Sequence, residues 1–145
     1  MSNGETYRGS CLCGAVSYEV DGPLSAIWSC HCSQCRKTSG HLFATTDTLT
    51  ENLSITDNGG LKWYDSSKWA QRGFCQNCGS SLFWRMPKEN RTSILAGTLD
   101  DTRGLRLAGH IFTADKGAYY DIPPLERQFP GAPKGEWRDG DPGGT

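Results

Sequence analysis

Seven cysteines in 145 residues, arranged as two close pairs and one tight triplet, constrain this chain more than any other feature of its sequence. Cys11-Leu12-Cys13-Gly14 and Cys75-Gln76-Asn77-Cys78-Gly79 are the pairs, and Cys30-His31-Cys32-Ser33-Gln34-Cys35 brings three thiols together. An odd number of cysteines cannot pair completely as disulfides, and short spacings in a reducing compartment point to metal ligation or redox chemistry. A Cys-x-Cys on an extended segment projects both side chains from one face. A Cys-x-x-Cys turn converges its thiols, and the glycine after it can take the positive φ such a turn needs. Cys11, Cys13, Cys75 and Cys78 therefore make the four-thiolate tetrahedron of a closed, structural zinc site. Buried thiols or redox pairs are the plainer alternative.

The triplet Cys30, Cys32 and Cys35 has no obvious fourth cysteine, and three protein ligands with one open position are what a catalytic zinc requires. These three are thus read both as ligands of a second zinc and as the reactive centre. His31 can close the set only if it turns inward. Flanked by Cys30 and Cys32 on an extended segment, it points to the other face. Zinc with three thiolates carries one net negative charge, which Arg36 and Lys37, directly after Cys35, are placed to offset or to share with a bound ligand. Such a centre donates strongly to its metal and favours a further soft donor over the generation of hydroxide.

The remainder reads as one mainly β domain with little helix, its short antiparallel strands arranged around the zinc sites. Strand-like runs recur at Ala15–Val20, Ala26–Ser29, Leu42–Thr46, Leu53–Thr56, Leu61–Asp65, Ser81–Arg85, Ser93–Ala96 and Ile111–Thr113, separated by Gly, Asn and Asp. One helical turn is expected from Ser33, taken as the N-cap, to a stop at Gly40. The domain is placed at residues 5–130, with 131–145, rich in Pro, Gly and charge, as a mobile tail unable to build a core. A net charge of −1, from 15 basic and 16 acidic residues, argues against nucleic acid as a partner. Without a basic and apolar leader or a long apolar run, the chain is expected in the cytoplasm and away from membranes. The sequence sets no oligomeric state.

The residues Gly9–Tyr18, Cys30–Lys37, Phe74–Ser80, Gly97–Asp101 and His110–Phe112, in that order, resemble the glutathione-dependent formaldehyde-activating enzyme family, which also includes centromere protein V. The resemblance implies a β-tent zinc domain in which Cys11, Cys13, Cys75 and Cys78 match the structural site while Cys30, Cys32 and Cys35 match the catalytic one. It also implies a carbon-sulfur lyase that joins formaldehyde to the thiol of glutathione, or cleaves that bond. The contrasting possibility is a zinc-stabilised protein-interaction module without catalysis, in which both metals are structural. A fourth protein ligand at the second site would favour it.

Glutathione is anionic, so Arg36, Lys37, Arg72 and Lys116 are weighed as cations for it, with Arg36 and Lys37 preferred. His110 is either a proton carrier or a histidine satisfied by structural hydrogen bonds. Trp63, Tyr64, Trp69, Phe74 and Trp84 are expected to pack in the core or the site wall. Asp100 and Asp101 are expected to end a strand in a turn.

Overall fold

The alternating runs become strands in the computed structural model, which describes residues 5–133. In chain order these are β1 (Thr6–Ser10), β2 (Val16–Asp21), β3 (Ile27–Cys30), β4 (Phe43–Leu49), β5 (Leu53–Asp57), β6 (Leu61–Asp65), β7 (Gln71–Cys75), β8 (Ser81–Arg85), β9 (Arg91–Leu95), β10 (Leu107–Ile111) and β11 (Arg127–Gln128). Among the described residues one α-helix, α1 (Ser33–Ser39), follows β3. The strands form two sheets, β1-β2-β5 and β11-β10-β3-β4-β9-β8-β7-β6. Most pairs are antiparallel; β10 is the exception, running parallel to both β3 and β11.

The expected runs beginning at Ala15, Ala26, Leu42, Leu53, Leu61, Ser81 and Ser93 correspond to β2, β3, β4, β5, β6, β8 and β9. The run placed at Ile111–Thr113 lies instead over Leu107–Ile111, and Thr113 opens a 3-10 turn. Strands β1, β7 and β11 were not anticipated. Their segments carry Arg, Gly and Gln, and they are held as strands by their neighbours in the sheet rather than by propensity. Helix α1 is capped one residue earlier than expected. Cys32, not Ser33, is its N-cap, its Sγ accepting from the Cys35 N–H at 3.4 Å, while Gly40 ends it with φ 84°.

The main core lies between the two sheets, where Val16, Tyr18 and Val20 of β2 meet Leu82, Phe83 and Ile94 from β8 and β9. These side chains are at most 2% exposed. Gly9 permits the close approach, since a Cβ there would fall 2.3 Å from the Tyr18 hydroxyl oxygen. Of the segment read as a tail, most lies outside the described residues. At its start, the Pro130 and Gly131 carbonyls accept from the Ala114 and Phe112 N–H groups.

Candidate functional site

Cys11 and Cys13 sit in the tight turn joining β1 to β2, so the turn, not an extended segment as expected from the sequence, converges them. Cys75 closes β7, and the chain turns back at once, with the Gly79 N–H donating to the Cys75 carbonyl at 2.7 Å and Gly79 at φ 82°. The four sulfurs lie within 4.8 Å of one another. Cys11 Sγ to Cys13 Sγ and Cys13 Sγ to Cys75 Sγ are each 3.7 Å. Zinc-sulfur bonds of 2.3 Å give a tetrahedron edge of about 3.8 Å, whereas a disulfide needs about 2.05 Å. The donor set fits zinc, and all seven cysteines are free thiols. Because Cys11 and Cys13 lie in the β1–β2 turn of the small sheet and Cys75 and Cys78 at the β7–β8 turn of the large one, the cluster bridges the two sheets, and a metal held there would tie them together.

The second cluster is assembled where β3 runs into α1. Cys30 ends the strand, Cys32 caps the helix and Cys35 occupies its first turn, bringing three sulfurs within 4.8 Å. No other His, Cys, Asp or Glu among the described residues joins this group. Hydrogen bonds from the Cys30 and Cys35 thiols hold Cys32 far below the usual thiol range, and the same contact with Cys32 pushes Cys30 far above it. A divalent cation is what lets all three ionise together.

His31 points away, as the alternation required. Its Nδ1 meets the Tyr120 hydroxyl, and its Nε2 lies 3.0 Å from His110 Nδ1, so neither ring nitrogen is left for a metal. His110 Nε2 in turn lies 2.7 Å from Glu126 Oε1. A carboxylate can only accept, which places the His110 proton on Nε2, the His31 proton on Nε2 and the Tyr120 proton on the bond to His31 Nδ1. Both histidines are buried, and His110 is satisfied on both nitrogens. Tyr120 and Glu126 left no signal in the sequence, because their role depends on a segment distant from the cysteines.

A cavity of about 340 Å³ opens beside this cluster on one face of the large sheet. Register lines up its floor. Arg72, Trp84, Ser93 and Asp47 form one row across β7, β8, β9 and β4, and Ile111, Cys30 and Phe43 form another across β10, β3 and β4. Cys32, Gln34 and Cys35 close it from the helix side, and Trp69 stands on its rim at 65% exposure. Trp84 is thus wall, while Trp63 packs against Phe83 in the core and Tyr64 is exposed. Asp101 lies in a turn with Arg103, and the Asp100 N–H donates to Arg8 O.

Neither Arg36 nor Lys37 lines the cavity, and Lys116 donates to the Gly117 and Tyr120 carbonyls. Arg72 does line it, although only 7% exposed. Its guanidinium lies over the Phe43 ring and reaches Cys35 Sγ at 3.6 Å, Gln34 Oε1 at 3.3 Å and Thr38 Oγ1 at 3.4 Å. These are long contacts for so buried a cation. Its Nε has no hydrogen-bond partner among the described residues.

A family model described as glutathione-dependent formaldehyde-activating enzyme matches residues 6–115. The chain belongs to this family. A Schizosaccharomyces pombe protein described as an uncharacterized lyase is 33% identical over 117 residues, covering 80% of this chain and 85% of the relative. An Aspergillus terreus protein described as a putative glutathione-dependent formaldehyde-activating enzyme is 37% identical over 101 residues, covering 65% of this chain and 53% of the relative. The chain thus spans about half the length of that relative and 85% of the first. A crystal structure of a Rhodobacter sphaeroides protein shares the fold, with a TM-score of 0.54 at 22% identity, covering 69% of this chain and 98% of that one. The family members are thus named as enzymes, and the fold is mainly β as expected. Among the described residues, no helix is long and apolar enough to cross a membrane.

Proposed function

We propose that the chain is a zinc-dependent carbon-sulfur lyase that forms and cleaves the adduct of a small thiol, glutathione, with formaldehyde. The observation that carries this reading is the convergence of Cys30, Cys32 and Cys35 on the wall of a cavity that also holds the buried Arg72 guanidinium. Zinc held by these three thiolates supplies a Lewis-acidic centre that favours one further soft donor, while the Cys11, Cys13, Cys75 and Cys78 zinc is structural.

In the addition, the thiol S–H bond and the carbonyl π bond break, a carbon-sulfur bond forms, and the proton passes to the carbonyl oxygen. No electron changes hands. Negative charge gathers on that oxygen, and Arg72, 3.6 Å from Cys35 Sγ, is the cavity's cation for it. The same guanidinium offsets the excess charge of three thiolates, the part that sequence reasoning assigned to Arg36 and Lys37. Those two lie outside the cavity on α1, where they serve glutathione's carboxylates. The buried Trp28 and Phe43 in the cavity lining lower the local dielectric and so strengthen each charge interaction beside them.

Exchange spectroscopy by NMR measures the equilibrium flux between formaldehyde, glutathione and their adduct. The zinc-loaded wild type is expected to speed it, with loss in Cys30→Ser at matched zinc loading. Arg72→Gln is expected to lower the rate by about 10²-fold, the scale for removing a donor that meets developing charge. A wild type no faster than Cys30→Ser, with no glutathione binding by calorimetry, overturns the lyase and leaves the interaction module.

A further inference from the structure

The cavity is far larger than formaldehyde needs. Formaldehyde has two non-hydrogen atoms and is little bigger than water, whose share of liquid volume is about 30 Å³. The cavity holds about 340 Å³. Its lining is mostly apolar, with the rings of Trp28, Phe43, Trp69, Trp84 and Phe112 its largest side chains, and hydroxyls such as Ser25, Thr45 and Ser93 supply neutral polar edges. Glutathione does not suit this interior. It carries two carboxylates and an ammonium, and an unpaired charge is costly to bury. Among the described residues that line the cavity, Arg72 and Asp47 are the charged ones. Asp47 is already engaged, accepting from Ser93 Oγ at 2.5 Å and lying 3.9 Å from Arg91 Nε. Arg72 can pair with one carboxylate, not two.

We propose that the interior receives the substituent of an apolar, aromatic-sized aldehyde, while the peptide arms of the thiol stay outside; this rests on the thiol-carbonyl chemistry proposed above. Only the thiol's sulfur then enters, next to Cys30, Cys32 and Cys35. The aldehyde carbon meets it there, its oxygen faces Arg72, and its ring lies against Trp28 and Trp84. Bond changes are those of the formaldehyde reaction. The S–H bond and the carbonyl π bond break, the carbon-sulfur and O–H bonds form, and no oxidant or reductant is required.

The test compares phenylacetaldehyde with formaldehyde, each with glutathione, in the same exchange measurement on zinc-loaded protein, and takes the acceleration over the uncatalysed rate. Burial of a ring is expected to make the phenylacetaldehyde acceleration larger by at least about tenfold. Trp84→Ala is expected to reduce that ratio. Since this variant also touches Cys35 and Leu95 packing, a wild-type measurement stands beside it: S-benzylglutathione should perturb tryptophan fluorescence at concentrations where S-methylglutathione does not. Acceleration of formaldehyde equal to or above that of phenylacetaldehyde, with equal fluorescence responses, overturns the inference and leaves the lyase intact. No acceleration of either aldehyde overturns the lyase and the inference with it.

Discussion

His31 sits between two cysteines of one cluster yet serves the opposite side of the chain. Its ring is fully buried, donating to His110 and accepting from Tyr120, and burial, followed by repulsion from His110, pulls its pKa from the ordinary 6.5 to about 4. The folded protein therefore holds it neutral where the unfolded chain would protonate it. A depressed histidine contributes stability that is complete above about 6.5 and is lost as pH falls toward about 4. His31→Gln keeps an amide that can bond in the same place but cannot titrate. Denaturant unfolding between pH 7 and pH 4 is expected to show a shallower loss of stability in the variant than in the wild type. Parallel slopes would refute the neutral, donor-acceptor role given to His31.

Elements carry the difference between the two cysteine centres. Turns β1-β2 and β7-β8 hold one, and each belongs to a different sheet, so its loss frees two layers at once. The other uses only β3 and the seven-residue α1. Cys78→Ser is expected to cost several kcal/mol, on the order of a structural zinc ligand, because metal binding there is folding energy. Cys35→Ser is expected to leave a folded domain. Thermal unfolding decides this, and equal losses of Tm would dissolve the distinction. The cysteine groups were legible in the sequence because Cys11–Cys13, Cys30–Cys35 and Cys75–Cys78 are each local, while the meeting of the first pair with the last, from Cys13 to Cys75, is made by the fold. Most strands were legible through alternation, as in Val16-Ser17-Tyr18-Glu19-Val20. What was not legible depends on register between distant segments. The row from Arg72 through Trp84 and Ser93 to Asp47 exists only once four strands align, so Arg72 could be weighed but not placed. Cys32 as N-cap also went unread, since sulfur is a weak acceptor and Ser33 is the more usual choice.

For the whole molecule, one cysteine cluster bridges the two sheets and the other lines the cavity. Chelator is expected to remove one zinc readily and the second only with unfolding, followed by metal release and circular dichroism together. Loss of both in one step, with the fold, would mean that the two centres are equally structural. The measurement that reaches the central claim most directly is zinc X-ray absorption on protein carrying two zinc ions per chain. Four sulfurs at one centre and three at the other give an expected mean of about 3.5 sulfur neighbours per zinc at about 2.3 Å, rising toward 4 when glutathione is added. A mean of 4 before any thiol is added, or one that glutathione leaves unchanged, would contradict an open three-thiolate centre.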